Sequence, residues 1–495
     1  MKALIISSFL IPILAGIILL LQLCFSHRKK EDSLSEPLSF IHGFTGLFLF
    51  SDTILTLICA WIPVETKELF LFSPVKDLPI YFHIDFLGSF FVSFISIVWL
   101  FVGFYAFGYM KEEGKEQRFF GFYLIVYGVM IALCFSGNLI TFYFFFELMT
   151  VTSLPLVLHK ETHEAIMASL KYLFYSLFGA YFALFAIFIL FKHCGSLNFT
   201  DGGYLFASEH TPIILLAAFF SILGFGVKAG MFPMHGWLPT AHPIAPSPAS
   251  AVLSATIVKA GVLGIIRVLY FIIGADYLMG TWVQYAFASL SLITVFMGSL
   301  LAYKESVFKK RLAYSTVSQV SYILFGLSMM NPTAYMGALF HSMFHAIIKA
   351  ALFLSAGSFI FTTGLHNAND YRAIGKPMKK TLWAYTAASL ALIGIPPFSG
   401  FISKWYLAQG ALSSNIKGFG IAGVIVLLIS ALLTAGYLLP ISLNGFLPGK
   451  DFSSAPCEKE TPSVMWIPLA LLSLLTLILG LFPGPIIAVF PSLLR

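Results

Sequence analysis

Fourteen long apolar runs separated by short polar loops constrain this chain more than any other feature. A bilayer-spanning helix needs about 20 apolar residues, and these runs lack the two-residue alternation of a membrane β-barrel. They predict an all-α polytopic membrane protein with about fourteen transmembrane helices. The runs fall near residues 3–25, 39–61, 84–108, 120–136, 138–157, 167–191, 213–231, 248–271, 282–302, 312–330, 333–361, 382–412, 419–446 and 465–490.

The composition excludes several other classes of protein. Of 495 residues, 59% are hydrophobic and only 10% are charged, against roughly 25% charged in a soluble domain. A soluble enzyme and a disordered chain are therefore excluded. The net charge of +7 is spread over separate short loops, so a nucleic-acid binder is excluded as well. The five cysteines are scattered without Cys-x-x-Cys spacing, so we expect no metal and no cofactor.

The basic residues of the loops test this topology, because positive charge accumulates on the inner side of a membrane. With the N-terminus outside, one set of alternate loops holds 17 basic residues and the other loops and termini hold 6. This asymmetry predicts a multi-pass protein of the cell inner (plasma) membrane with both termini outside. The smaller set is Lys2, Lys67, Lys76, Lys192, Lys417 and Arg495.

Six further basic residues fall within predicted spans, as do Glu147, Asp52 and, at the start of the third span, Asp85. A charge at bilayer depth costs about 2.5–3.5 kcal/mol on insertion scales, so such side chains should face the bundle interior and mark ion or proton pathways. The six are Lys171, Lys228, Lys259, Arg267, Lys349 and Lys404.

Two spans are interrupted by glycine and proline, after Lys228 and in the stretch 394–404. Pro233 and Pro396 are 163 residues apart, close to the separation of the fourth and ninth spans. This spacing predicts two inverted five-helix repeats, spans 4–8 and 9–13, each with a broken helix, as in transporters. The alternative is a pair of proline kinks that only aid packing. The predicted units are 1–119, 120–271, 272–446 and 447–495.

The charged side chains suggest a proton relay. Glu147 follows three phenylalanines, so it must take up a proton or pair with a buried cation; a static ion pair with Lys228 or Lys171 is the structural alternative. His341, His345 and Lys349 are spaced by four residues and lie on one helix face. Imidazoles can pass protons near neutral pH, although a single buried histidine more often has a structural role.

Other charged residues are less informative. Arg267 lies near the end of its span, and we expect its side chain to reach the membrane interface and act as an anchor. Lys171 is open to the same interpretation or to a role beside Glu147, as a possible modulator of the relay. Asp52 has no obvious partner in the sequence.

Several segments resemble one known family, the proton-conducting antiporter-like membrane subunits. This family includes the L, M and N subunits of respiratory complex I, the A and D subunits of Mrp cation/proton antiporters and subunits of membrane-bound hydrogenases. The resemblance covers about residues 80–450. The segments are 146–149 (Phe-Glu-Leu-Met), 228–261, 310–319, the stripe of His341, His345 and Lys349, and 394–404 (Gly-Ile-Pro-Pro-Phe-Ser-Gly-Phe-Ile-Ser-Lys).

The resemblance implies roles for these residues. Glu147 and Lys228 would form a coupled pair and Lys259 would be the central proton carrier. The residues of the stripe would link Lys259 to Lys404, which would face the outlet. His235 and His242 match a loop of the M-type subunit and are possible modulators. Lys404 instead agrees with the N, L and D types, since the M type usually has glutamate there, and the sequence ends too soon after span fourteen for the L type.

The resulting hypothesis is a proton- or sodium-translocating subunit of a complex I-, hydrogenase- or Mrp-like assembly, driven by redox chemistry or antiport in partner subunits. It would belong to an ion-translocating oxidoreductase without holding a redox centre itself. One alternative is a b-type cytochrome or quinol-oxidising subunit with His242 and His341 as haem ligands. Another is a secondary cation/proton antiporter that works alone.

Overall fold

The computed structural model describes residues 1–28, 38–63, 67–75, 78–205, 210–449 and 455–488. Five of the basic residues used to predict the topology lie outside these ranges: Lys29, Lys30, Lys76, Lys450 and Arg495.

The described residues form a helical bundle that follows the predicted spans closely. Twelve helical segments are long and apolar enough to cross a membrane. The first half contains α1 (Lys2–Arg28), α2 (Leu38–Trp61), α3 (Phe86–Glu113), α4 (Glu116–Cys134), α5 (Leu139–Val157), α6 (His163–Cys194), α7 (Pro212–Ala229), α8 (Leu238–Ile244), α9 (Ser247–Val252), α10 (Val258–Val268) and α11 (Ala275–Leu278). The second half contains α12 (Trp282–Lys304), α13 (Phe308–Ser328), α14 (Pro332–Thr363), α15 (Lys379–Ile393), α16 (Ser399–Leu412), α17 (Lys417–Phe446), α18 (Ser463–Leu481) and α19 (Gly484–Ala488).

Two of the fourteen predicted spans are helical but are not among the twelve. One is α13, which begins with Phe308 followed by three basic residues. The other is the pair α15 and α16, in which neither helix reaches 18 residues because the span is broken between them. Of these two spans, the first is continuous but contains basic residues, and the second is broken by glycine and proline. Such residues are tolerated at membrane depth when they are buried in protein or line a wet cavity.

The two predicted breaks are present, and each has a local cause. Helix α7 ends at Gly230 (φ 74°) and helix α15 ends at Gly394 (φ 91°), both in the left-handed conformation. Glycine adopts this conformation at little cost and commonly ends a helix, and a following proline prevents the helix from continuing. A short 3₁₀ turn (Met234–Trp237) joins α7 to α8. Each break lies in the fourth helix of its predicted five-helix set.

The eighth span contains a feature that hydropathy did not predict. Between α9 and α10 the chain forms a π turn, Leu253–Ile257, and a second one follows α10 at Leu269–Ile273. A π turn changes which carbonyls are engaged by backbone amides and is frequent at functional sites. The first one directly precedes Lys259. The span is almost entirely enclosed by the rest of the bundle.

An antiparallel hairpin departs from the predicted all-α fold. Strands β1 (Glu68–Val75) and β2 (Leu78–His83) pair with Glu68 opposite His83. The segment lies between the second and third spans, on the side with few basic loop residues. It is too short to register as an apolar run, so the hydropathy pattern could not distinguish it from a loop.

Two residues counted among the loop charges are inside the bundle. Lys309 and Arg311 are in the first turn of α13 and are 5% and 6% exposed. Lys309 donates a hydrogen bond to the carbonyl of Ala245. Arg311 donates to the carbonyls of Glu305 (2.8 Å) and Tyr437 (3.0 Å). Because main-chain carbonyls accept hydrogen bonds from these two cations, both side chains can lie inside the bundle and not in an exposed loop.

Candidate functional site

The centre of the candidate site is a direct contact between Lys259 and His345. Lys259 follows the π turn in the eighth span, and its Nζ lies 2.6 Å from His345 Nδ1 and 2.9 Å from the carbonyl oxygen of Ser254. Both side chains are completely buried. The π turn therefore supplies one acceptor for the ammonium, and α14 supplies the other. The sequence-based prediction placed both residues in a relay, and the structure brings them into hydrogen-bonding distance.

From His345 the polar side chains continue along α14 towards α16. The rings of His345 and His341 have centroids 5.9 Å apart, and His341 Nδ1 lies 2.9 Å from Ser403 Oγ. The Nε2 atoms of both histidines are buried without a protein partner among the described residues, as is the side-chain amide of Gln319. Water molecules are the usual partners of such buried polar atoms. Each of the two rings of the stripe thus keeps one nitrogen, Nε2, that no described group hydrogen-bonds.

Lys404 lies at the end of this series, one residue after Ser403. Its Nζ donates to the carbonyls of Leu392 (2.7 Å) and Ile393 (2.9 Å). These carbonyls belong to the last turn of α15, where the break leaves them without amide partners and where the helix dipole is negative. The ring of Tyr322 stacks on His341 with centroids 5.4 Å apart and lies 5.1 Å from Lys404 Nζ. The broken helix therefore provides the binding site for this ammonium.

Lys349 extends the series in the opposite direction, towards the side with many basic loop residues. Its Nζ donates to the carbonyl of Leu312 at 3.0 Å. His242, on α8, is fully buried with neither ring nitrogen hydrogen-bonded in the described part of the chain, and it stacks on Phe353. It lies within electrostatic reach of both Lys349 and Lys309. Together with His242 and Lys309, Lys349 forms a polar cluster at its own end of the stripe.

The first repeat holds Lys228 in a cage of hydroxyls and aromatic rings. Its Nζ donates to Tyr172 Oη (2.8 Å) and Ser176 Oγ (3.0 Å) on α6, and Tyr172 in turn contacts Ser153 Oγ at 2.7 Å. The ammonium also lies over the rings of Tyr172 (4.3 Å) and Phe146 (5.9 Å). Cation–π contacts of this kind stabilise a desolvated ammonium.

Glu147 is near Lys228 without forming a static ion pair. It follows Phe146 on α5, and its carboxylate and the Lys228 ammonium are close enough to interact electrostatically. Glu147 Oε1 is buried and has no hydrogen-bond partner among the described residues. The phenol of Tyr143, its polar neighbour in the sequence, donates instead to the carbonyl of Ala180. The two side chains are therefore close to each other without being in contact.

Two of the three possible modulators, Lys171 and His235, lie at the edge of the predicted first repeat. Lys171 Nζ donates to Thr240 Oγ1 at 2.9 Å and does not contact Glu147. It lines an open cavity of about 640 Å³ between α6 and α8, together with His163, Glu164 and Phe174. His235 is half-buried in the 3₁₀ turn, and its Nδ1 has no partner in the described structure. Neither side chain touches the series from Lys259 to Lys404.

Arg267 contradicts the expectation that it reaches the membrane interface. It is 1% exposed, and its guanidinium pairs with the Asp85 carboxylate through two contacts, of which Nη2–Oδ1 is 2.8 Å. The guanidinium also stacks on the rings of Phe199 (4.4 Å) and Phe271 (5.0 Å). Asp85 additionally caps α3 by accepting from the Gly88 amide. Arg267 is thus a buried structural cation that ties α10 to the start of α3.

Comparisons with known proteins agree with this arrangement. A family model described as "NADH:quinone oxidoreductase/Mrp antiporter, TM" matches residues 136–432. The chain belongs to this family. A second model, for the N-terminus of chain 5 of NADH-ubiquinone oxidoreductase (complex I), matches residues 73–120.

Individual relatives of the antiporter family extend the match. The chain is 32% identical over 390 residues to NADH-quinone oxidoreductase subunit N of Desulforudis audaxviator, covering 76% of each protein. It is 33% identical to hydrogenase-4 component B of Escherichia coli, over 82% of this chain and 63% of that protein. Its fold matches a chain of the Mrp complex from Dietzia with a TM-score of 0.83 at 20% identity, covering 99% and 96% of the two chains. Family membership confirms the predicted resemblance and favours the antiporter-like interpretation over a b-type cytochrome.

Some residues around the site of this antiporter-family chain were missed by sequence reasoning. Tyr322, Ser403 and Tyr172 are ordinary polar residues of apolar helices, and only the packing shows that they contact the buried lysines and histidines. The pairing of Arg267 with Asp85 did have a signal. The predicted topology places the end of the eighth span and the start of the third span on the same side of the membrane.

Proposed function

We propose that the chain is the proton-translocating, antiporter-like subunit of a multisubunit membrane complex. The 2.6 Å contact between Lys259 Nζ and His345 Nδ1 carries this proposal. A lysine that donates to an imidazole nitrogen at this distance is placed to transfer its proton, because the acceptor is the basic form of the ring. The transfer leaves a neutral amine and an imidazolium, so charge moves from α10 to α14.

The proton then moves along the stripe towards Lys404. His345 passes it through bridging water to His341, which contacts Ser403 beside Lys404. The carbonyls of Leu392 and Ile393 stabilise the charge when it arrives at Lys404. Reloading of Lys259 comes from Lys349 and the cluster of His242 and Lys309, which lie on the side rich in basic loops. Protons therefore enter from that inner side and leave near the broken helix.

The pair of Glu147 and Lys228 couples this movement to a partner subunit. A carboxylate close to an ammonium, but not in contact with it, changes the charge balance of Lys228 when either group moves or titrates. A neighbouring subunit that displaces Glu147 would thus alter the proton affinity of Lys228 and, through it, the loading of Lys259. The driving force arises from redox chemistry or antiport elsewhere in the assembly. The protein lies in the cell inner membrane with both termini outside.

The test is proton pumping by the assembled complex in proteoliposomes. Lys228→Ala and Glu147→Ala should each abolish pumping while the complex still assembles, because each removes one charge of the proposed coupling pair. The matched controls are Lys192→Ala and Glu112→Ala, which change exposed residues of the same types. Wild-type pumping rates in both site variants would refute the proposal.

A further inference from the structure

An open recess lies between α6 and α8, on the outer surface of the helical bundle. Its volume is about 640 Å³, within the roughly 300–1,000 Å³ that small-molecule sites occupy. Most of its wall belongs to α6, and Thr240 and Ile244 of α8 form the opposite side. No residue of the series from Lys259 to Lys404 lines this recess, so the relay does not account for it.

Lys171 places a cation in the recess without a counter-charge. Its Nζ donates to Thr240 Oγ1 at 2.9 Å, and that hydroxyl donates in turn to the carbonyl of Gly236 at 3.0 Å. An ammonium has three donor hydrogens, and Thr240 accepts only one of them. No ion pair in the described ranges of the chain includes Lys171. The recess therefore offers a positive charge and N–H donors to a ligand.

The wall beside Lys171 is apolar. Met167, Leu170 and Phe174 are 53%, 53% and 69% exposed, and their spacing of three and four residues places them on the same face of α6 as Lys171. Glu164 also lines the recess, but it is exposed in the first turn of α6 and is seven residues from Lys171, about 10 Å along the helix. A ligand with a negative group and a hydrocarbon chain matches this wall.

The position of Lys171 along α6 places its ammonium at the level of lipid headgroups. Helix α6 has 32 residues and is about 48 Å long, whereas the hydrocarbon core of a bilayer is about 30 Å thick. A centred α6 thus extends about 9 Å beyond the core at each end. Lys171 is eight residues, or about 12 Å, from the first residue, His163, and a lysine near this boundary reaches towards the interface. Phe174 lies deeper in the hydrocarbon.

We propose that this recess binds one anionic phospholipid, whose phosphate accepts hydrogen bonds from Lys171 and whose acyl chain packs on Leu170 and Phe174. The start of α6 is on the side with many basic loop residues, and basic pockets between helices on the inner side of a membrane bind anionic headgroups. A zwitterionic lipid would bring its own cation close to Lys171, so a net negative charge is favoured. The proposal does not rest on the proposed function, and either one can fail without the other.

Lipid retention provides the test. The intact chain in detergent is mixed with equal amounts of dioleoylphosphatidylglycerol and dioleoylphosphatidylcholine, and the lipids that remain bound to each chain are counted by native mass spectrometry. We expect one phosphatidylglycerol to stay bound under conditions that remove phosphatidylcholine, both in the isolated chain and in the purified complex. Inorganic phosphate should not displace it, because a free anion lacks the contact between an acyl chain and Phe174.

Matched variants on α6 separate the site from general binding of lipid to the helix. Lys171→Gln should weaken the affinity for phosphatidylglycerol at least about tenfold, since it removes a charge-assisted hydrogen bond, and Lys171→Arg should retain it. Lys192→Gln, at an exposed lysine in the last turn of α6, should leave the affinity unchanged. Phe174→Ala should weaken binding severalfold, whereas Phe188→Ala, at a side chain of α6 that is 64% exposed, should not.

Four results would overturn the proposal. They are equal retention of the two lipids, equal affinity in the folded Lys171→Gln and Lys192→Gln variants, displacement of the lipid by inorganic phosphate, and binding by the isolated chain but not by the complex. The last result would mean that a partner subunit covers the recess. Thermal unfolding shows which variants are folded, and the exposed Phe174 and Phe188 keep the test valid if Lys171→Gln does not fold.

Discussion

Each lysine within the bundle is solvated by neutral groups rather than by a carboxylate. Lys228 contacts hydroxyls, Lys349 and Lys404 contact main-chain carbonyls, and Lys259 contacts a carbonyl and an imidazole. A carboxylate in contact would hold the ammonium proton by Coulomb attraction, which is strong in a low-dielectric interior. Hydroxyls and carbonyls accept hydrogen bonds from the ammonium N–H groups, but because they are neutral they favour the protonated form less strongly than a carboxylate does. When one of these lysines loses its proton, it therefore leaves no unpaired carboxylate behind.

This solvation predicts that a permanent charge cannot replace Lys259. Lys259→Arg keeps the positive charge, but a guanidinium stays protonated at all accessible pH values. We expect proton pumping by the complex to fall at least tenfold, as measured by the pH change inside proteoliposomes. The control Lys192→Arg, at an exposed lysine, should pump normally. Pumping by Lys259→Arg at the wild-type rate would show that Lys259 does not release its proton.

Arg267 and Asp85 allow a quantitative prediction about stability. Removing one member of a buried ion pair leaves an uncompensated charge and costs about 3–5 kcal/mol. Arg267→Met should lower the free energy of unfolding by about that amount in mixed-micelle denaturation. The double variant with Asp85→Asn should lose less than Arg267→Met alone, since asparagine removes the charge and can still cap α3. Additive losses in the double variant would show that the two residues are not coupled.

At the scale of elements, the break after α15 turns backbone carbonyls into hydrogen-bond acceptors for Lys404. Gly394 ends α15 with φ 91°, and a methyl group added there would lie 2.9 Å from Lys404 Cδ and 3.5 Å from its Nζ. Gly364 also has a positive φ of 70° at the end of α14, but an added methyl group would meet no atom within 4 Å. The two glycines thus share the same backbone requirement and differ only in their contact with the relay.

This pair of glycines defines a matched experiment on the break. Gly394→Ala and Gly364→Ala should each cost about 1–2 kcal/mol of stability, because alanine is strained in the left-handed region. Only Gly394→Ala should also reduce pumping severalfold, since its methyl group displaces Lys404 from the carbonyls of Leu392 and Ile393. Equal pumping by both variants would show that the position of Lys404 at the break is unimportant.

Some features of these elements could be predicted from the sequence alone, and others could not. The breaks were predictable because glycine and proline act locally, and the stripe of His341, His345 and Lys349 because helical periodicity places residues four apart on one face. The contacts that each charge makes were not predictable, although the topology places Arg267 and Asp85 on the same side of the membrane. Arg267 lies 182 residues from Asp85, and Lys228 contacts Tyr172 and not Glu147, so these pairings depend on helix packing that hydropathy does not encode.

At the scale of the whole molecule, the proposed relay requires an event that changes one of its charges. We propose that the groups from Lys349 to Lys404 exchange protons with one another, and a series of this kind only equilibrates unless an outside event changes one of its charges. Glu147, half-buried on α5 and free of any contact with Lys228, is the group that a neighbouring subunit could displace.

Reconstitution of the chain with and without its partners tests this dependence. The chain is extracted in a mild detergent, co-purifying subunits are identified, and proteoliposomes are prepared from the complex and from the isolated chain. We expect coupled proton transport by the complex alone, because only a partner can drive the displacement of Glu147. An absorption spectrum of the isolated chain should show no haem band. Transport by the isolated chain against an imposed cation gradient would instead identify a secondary antiporter, in which the cation itself changes the charge at the relay.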